Sequence, residues 1–178
     1  PAGSFRASGR VREAAPPGAA TLREYHSTGA PAPGGVTDIT LWFTATLPTG
    51  VFAGTAGTGL YGFQDNVYDL AGFYPTIPVY DDEGWNLEIT ATFGDSTFTD
   101  IAYYQVELTL PSAQEVVASG TTADRRSNDN GTDTWRIIAG PVRAFYAAAS
   151  DTYVFINEEV EGTTVRSWHQ PGGETGAQ

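Results

Sequence analysis

The chain has 178 residues, of which nine are basic, all of them arginine, and 21 are acidic, for a formal net charge of -12; it contains neither cysteine nor methionine. That balance repels phosphate backbones and anionic membrane surfaces, so nucleic acid is excluded as an expected partner. Without cysteine there is no disulfide framework, thiolate metal site or cysteine nucleophile, and a domain of this length buries roughly 70% of its unfolded surface without such staples.

No apolar run reaches the roughly eighteen residues that a membrane-spanning helix needs, and the opening residues, PAGSFRASGR, lack the apolar core of a signal peptide. The missing methionine points to a processed product or a piece of something longer. Residues 1–35 are rich in Ala, Gly, Pro and Arg and read as an arm or two short strands, FRASGRVREA and ATLREYHST, separated by Pro16, Pro17 and Gly18. Arg6, Arg10, Arg12 and Arg23 make this end locally basic.

Residues 36–170 read as one β-domain. From Val36 onward, Ile39, Leu41, Phe43, Ala45 and Leu47 alternate with Thr40, Trp42, Thr44 and Thr46, which predicts a long strand closed by Pro48. The Gly-rich stretch TGVFAGTAGTGLYGFQDNVYDLAG has no phosphate-cradle spacing and reads as a loop with a short hairpin. Pro75 and Pro78 force an extended, non-helical crossing. Asp81 to Gly84 supply turn chemistry, and Trp85 starts an alternating run to Phe93.

Tyr104 to Leu110 alternates cleanly, and Val116 to Ser119 begins another strand. DRRSNDNGTDTW resembles a hairpin with Asn130–Gly131 as its turn pair; Asp124, Asp129 and Asp133 lack calcium-loop spacing. Trp135 to Ala139, Val142 to Ala149, Tyr153 to Glu158 and Thr163 to His169 follow as strands, with Glu161–Gly162 as a turn. Residues 171–178, PGGETGAQ, have linker composition. No stretch holds a helical period over three turns, so the predicted fold is all-β, an antiparallel two-sheet sandwich or saddle. The expected core is Leu41, Phe43, Leu87, Ile89, Phe93, Val106, Leu108, Ile137 and Phe145, with Trp85 packed near Tyr74 or Tyr80.

The order of these signals carries a resemblance. FYPTIPVYDDEGWN followed by GDSTFTDIAYYQVELTLP resembles the end of the N-terminal β-domain of the gluzincin aminopeptidases, the aminopeptidase N family and its bacterial relatives. Tyr74–Pro75, the acidic turn Asp81 to Glu83, Trp85, Gly94–Asp95 and the strand Tyr103 to Pro111 carry it, and it extends over roughly Val36 to Pro171. It implies the saddle-like β-sandwich of those N-terminal domains and an extracytoplasmic, secreted or cell-surface setting. It also implies zinc, held by HExxH and a distant Glu, but in a catalytic domain outside this chain.

Here only His26 and His169 are present, and neither belongs to such a motif, so the chain is not expected to be an enzyme on its own. Its implied partner is its own catalytic domain or a neighbouring subunit. In the family a Gln-x-Glu stretch reaches the substrate's free amino group; Gln64, Asp65 and Asn66 match it here, ahead of Tyr74, with Asn66 in place of the carboxylate. The loop Tyr61 to Leu70 is therefore expected to face the catalytic domain.

Other chemistries find less. There is no GxSxG elbow to organise a Ser-His-Asp triad, and the adjacent carboxylates Asp81, Asp82 and Glu83 point to different faces, as turn residues rather than a glycosidase pair. The alternative class is an extracellular structural or adhesive module, or a filament subunit assembling by strand donation across an open sheet edge.

Overall fold

The structure is a computed structural model that describes residues 10–12, 24–26, 34–36, 38–41, 43–49, 61–87 and 98–176. It falls into two units, one drawn from Pro1–Thr46 and Asn86–Ile89, the other from Leu47–Trp85 and Thr90–Gln178.

In the first unit, β1 (Arg10–Arg12) pairs antiparallel with β2 (Glu24–His26), so the two weakly patterned N-terminal stretches do meet as strands. Of the predicted strand from Val36 to Leu47, the described residues form no ladder with other described residues, and the nearest backbone pairing among them is the isolated bridge of Thr49 to Phe63. β-branched and aromatic residues favour a pleated surface only when a neighbouring strand supplies one. Among the described residues no such neighbour defines an inner face, and Ile39, Phe43 and Leu87 are exposed while Leu41 is half-buried.

The second unit holds the remaining strands. β3 (Tyr61–Gln64) and β4 (Val67–Leu70) form a hairpin, and β5 (Tyr80–Asp81) and β6 (Gly84–Trp85) form a smaller one. β7 (Ala102–Pro111), β8 (Glu115–Ala118), β9 (Thr121–Ser127), β10 (Thr132–Val142) and β11 (Ala147–Ser150) follow, then β12 (Val154–Val160) and β13 (Thr163–His169). They assemble as a three-stranded sheet, β7-β10-β9, a four-stranded sheet, β3-β4-β11-β8, and a separate β12-β13 ribbon. Every strand pair is antiparallel, and the only helix among the described residues is one 3₁₀ turn, Glu174–Gly176.

Both larger sheets feed one apolar cluster. Trp135, Ile137 and Ala139 enter it from β10, Leu70 from β4, Val116 from β8, and Ala147 and Ala149 from β11, with Phe145 among them. Strand β7 alternates between half-buried Tyr104, Val106, Leu108 and Leu110 and exposed Tyr103, Gln105, Glu107 and Thr109, as its period of two requires. Of the expected core, Ile137 and Phe145 are each 1% exposed, and Val106 and Leu108 pack against the cluster. Ile89 and Phe93, the turn at Gly94–Asp95 and the rest of the run after Leu87 lie outside the described residues.

Two expected strand limits move. Val142 ends β10 rather than opening a strand, because β10 shifts register between Ala139 and Val142, and residues 143–146 carry the chain to the other sheet. The Asn130–Gly131 turn is part of a four-residue connection, in which only Gly131 has positive φ, at 76°, while the Asn130 side chain accepts the Thr132 N–H at 3.2 Å. Glu161–Gly162 is the tight turn expected, with φ of 49° and 80°.

The acidic residues around this connection serve the fold. Asp133, 5% exposed, accepts from Ser112 Oγ at 2.6 Å and from Arg125 Nε at 2.8 Å. Arg125 also binds Glu115 at 2.8 Å and lies 4.2 Å from the Trp135 ring centre. The Ser112 hydroxyl and then the Arg125 guanidinium hold the Asp133 carboxyl below the usual carboxylate range.

Candidate functional site

The stretch Gln64-Asp65-Asn66 is a hairpin tip rather than a loose loop. Asp65 and Asn66 take φ of 49° and 65°, the paired left-handed geometry of a two-residue turn, and Gln64 pairs with Val67 across it. Asp and Asn tolerate that region better than other residues with a Cβ. The signal was there to be read: a two-residue Asp-Asn between the apolar-rich tetrads YGFQ and VYDL.

Three segments meet at this tip. From the β11–β12 connection, Asp151 Oδ1 accepts the Asn66 Nδ2 amide, which also reaches Thr152 Oγ1 at 3.5 Å. From the end of β13, Gln170 Nε2 donates to the Asp65 carbonyl at 3.2 Å and to Ser150 Oγ at 3.3 Å, while its Oε1 accepts from Thr152 Oγ1. Ser150 Oγ in turn accepts the Thr152 N–H at 3.2 Å. Gln64 Nε2 donates to Asp65 Oδ2 at 3.1 Å, so the two side chains are tied to one another at the exposed surface.

This belt gathers at the end of β11, whose last residue, Ser150, is part of it. β11, sequence AAAS, is buried along its whole length. Ala147 and Ala149 face the cluster, while Ala148 and Ser150 alternate to the other side, where Ser150 Oγ joins the belt. Small side chains let a central strand be covered closely on both faces, and this packing overrides alanine's low strand preference.

Asp69 pairs with Ala148 across β4 and β11 and lies beside Tyr146 and Tyr153. Its Oδ1 is buried without a hydrogen-bond partner. Burial raises the Asp69 carboxyl above its ordinary value, partly offset by a hydrogen bond from Tyr146. Tyr146 is pushed up to about 12 by burial and then by the Asp69 charge, and Tyr153 is raised by the same two causes.

The sign of the Asp69 contribution follows from linkage. A carboxyl raised in the folded state favours folding while protonated, below its unfolded value of about 3.9, and loses that contribution as pH climbs through the raised folded value. Asp69→Asn is therefore expected to raise the melting temperature at pH near 7, by roughly 2–4 °C for each kcal/mol recovered. The gain should vanish below about pH 4, where both side chains are neutral. Thermal melts at the two pH values check this; an equal change at both would show that charge is not the cause.

Tyr74 is engaged elsewhere. Its Oη accepts the Phe145 N–H at 2.7 Å, and its ring meets Phe73 at 5.2 Å and Tyr104 at 5.8 Å, edge to face. It fastens the extended crossing to the apolar cluster and shares no bond or ring contact with the Gln64 to Asn66 tip. Trp85 packs on Tyr80 at 5.1 Å, one of its two expected partners, though both rings are exposed. The Asp81 to Glu83 turn is closed by Asp81 Oδ1, which accepts the Glu83 N–H at 2.9 Å.

Sequence reasoning did not single out Ser150, Asp151, Thr152, Gln170 or Asp69. None has a motif, and Gln170 comes to Asp65 across more than a hundred residues of chain. Among the described residues, no three His, Asp or Glu side chains converge as a metal site, and no helix is long and apolar enough to cross a membrane. His169 sits at the end of β13 with Nδ1 2.9 Å from the Gln170 carbonyl. Compared with known proteins, the chain matches no family model, no curated protein and no solved structure.

Proposed function

We propose that this chain is the non-catalytic N-terminal β-domain of a zinc metallopeptidase-like protein of the aminopeptidase N type, shaping the substrate cleft of a catalytic domain outside the chain. The residues quoted for that resemblance are the basis. One juxtaposition supports it: the β3–β4 tip, which matches the family's substrate-side stretch, is hydrogen-bonded to Gln170, where the last strand gives way to the tail. A domain joined after β13 would begin beside that tip.

At the tip, Asn66 spends its amide on Asp151, and it carries no charge to pair with a substrate ammonium. Neutral hydrogen bonds are roughly half as strong as charge-assisted ones. The carboxylates at this place are Asp65 and Asp151, so recognition of a free amino terminus is weaker in this reading than where a glutamate fills the third position.

The test uses the complete polypeptide that contains this domain. Gln64→Ala and Gln170→Ala are expected to raise KM or lower kcat toward a peptide about three- to tenfold, the size of one lost hydrogen bond. Unchanged kinetics in both variants would overturn the placement of the tip at the cleft. The second reading, a strand-donating subunit, has one observation in its favour: within the described residues β7 and β9 each pair on one side only. It requires polymers that survive dilution in light scattering, whereas the domain reading requires a monomer.

A further inference from the structure

The β12–β13 ribbon has two unlike faces. Its strands pair over seven residues each, from Val154–His169 to Val160–Thr163, and neither pairs with either sheet. On one face Phe155, Asn157, Arg166 and Trp168 cover each other: Phe155 and Trp168 lie 4.9 Å apart, the Arg166 guanidinium is 4.5 Å from the Phe155 ring centre, and Arg166 Nε donates to Asn157 Oδ1 at 2.9 Å. Trp168 also meets Tyr153 at 6.1 Å, which anchors this face at the ribbon's base.

The opposite face carries Val154, Ile156, Val160 and Val165; Ile156 is half-buried, and the three valines are exposed, as Phe155 on the first face also is. Val154, Val160 and Val165 are 41%, 48% and 51% exposed. In the ladder Val165 lies diagonally between Ile156 and Val160, so the three form a continuous stripe. Glu158 stands opposite Val165 on this face and Glu161 lies in the turn at its end, whereas Glu159 alternates to the other face, where it accepts from Thr164 Oγ1. The ribbon's arginine, Arg166, is stacked on the other side.

We propose that this valine-isoleucine face is a docking surface for a protein partner that presents apolar side chains bordered by arginine or lysine. A two-stranded ribbon is marginally stable in water by itself, and a stripe of β-branched residues on it gains most from being covered. Charge selects the occupant. Glu158 within the stripe and Glu161 at its end favour a cationic rim and steer its approach. A second copy is disfavoured, because face-to-face pairing brings two Glu158 carboxylates together on molecules that each carry a charge of -12. An anionic membrane is disfavoured for the same reason. The inference stands independently of the metallopeptidase-like reading.

The test follows amide chemical shifts of the whole 178-residue chain during titration with a capped peptide of alternating arginine and valine, beside a glutamate-valine control. The cationic peptide is expected to shift Val154 to Val165, to bind about tenfold more weakly when salt rises from roughly 50 to 500 mM, and the control to bind far less. Val160→Thr with Val165→Thr should weaken binding about fivefold through lost apolar burial. Should that pair disturb folding, Glu158→Lys tests the charge alone and should weaken binding about threefold. Shifts centred on Tyr80 to Trp85, or spread evenly over the acidic surface, would overturn the proposal. So would concentration-dependent ribbon shifts without peptide, which mean a second copy, or binding to anionic vesicles.

Discussion

Phe145→Ala is expected to cost about 3–5 kcal/mol, the range for emptying a well-packed aromatic site, and to lower the melting temperature by on the order of 10 °C. Phe145 is 1% exposed and stands where the chain leaves the three-stranded sheet for β11. Its ring meets Tyr104 at 6.0 Å and Phe73 at 6.4 Å, and its N–H is bound by Tyr74. The loss therefore empties the cluster where both sheets and the Tyr74–Pro75 crossing meet. Phe155→Ala, on the exposed ribbon, is the comparison and should cost under about 1.5 kcal/mol. Chemical denaturation of both decides it; similar losses would mean the core has been placed wrongly.

Gly120→Ala should be nearly as damaging, at about 2–5 kcal/mol, for a reason unrelated to cavities. Gly120 has φ of 88° at the corner where β8 of one sheet turns into β9 of the other. A Cβ there would stand 2.2 Å from the Ile138 carbonyl oxygen and 2.6 Å from Ala139 Cβ, so backbone must move. Gly131→Ala separates the two contributions. Its φ is 76° but nothing lies within 4 Å of its Cβ position, so only the left-handed backbone cost of about 1 kcal/mol should appear. Equal losses at the two glycines would rule out the clash. Hydrogen exchange at Ile138 and Ala139 should quicken in the Gly120 variant alone.

Local signals in the sequence determined a good deal. The period of two in Tyr104 to Leu110, the turn pair Glu161–Gly162, the acidic turn after Tyr80 and the absence of helical periodicity each follow from backbone sterics and side-chain alternation within a few residues, and the structure has them. The run from Val36 to Leu47 looked as strong, yet its described residues form no ladder with other described residues, because a strand exists through its partner and the sequence names no partner. The Gln64 to Asn66 tip was legible as a candidate by resemblance and as a turn by its Asp-Asn pair. Its surroundings were not.

That Asp151, Thr152 and Gln170 close on the tip, that Asp69 is half-buried beside two tyrosines, and that three valines share one exposed face of the ribbon were decided by the tertiary structure alone. Hydrogen bonding and burial between residues far apart in the chain depend on which sheet each strand joins. Here β8 and β11 leave the order of the chain to join β3 and β4, and that choice is made by the collective packing of one apolar cluster rather than by any motif.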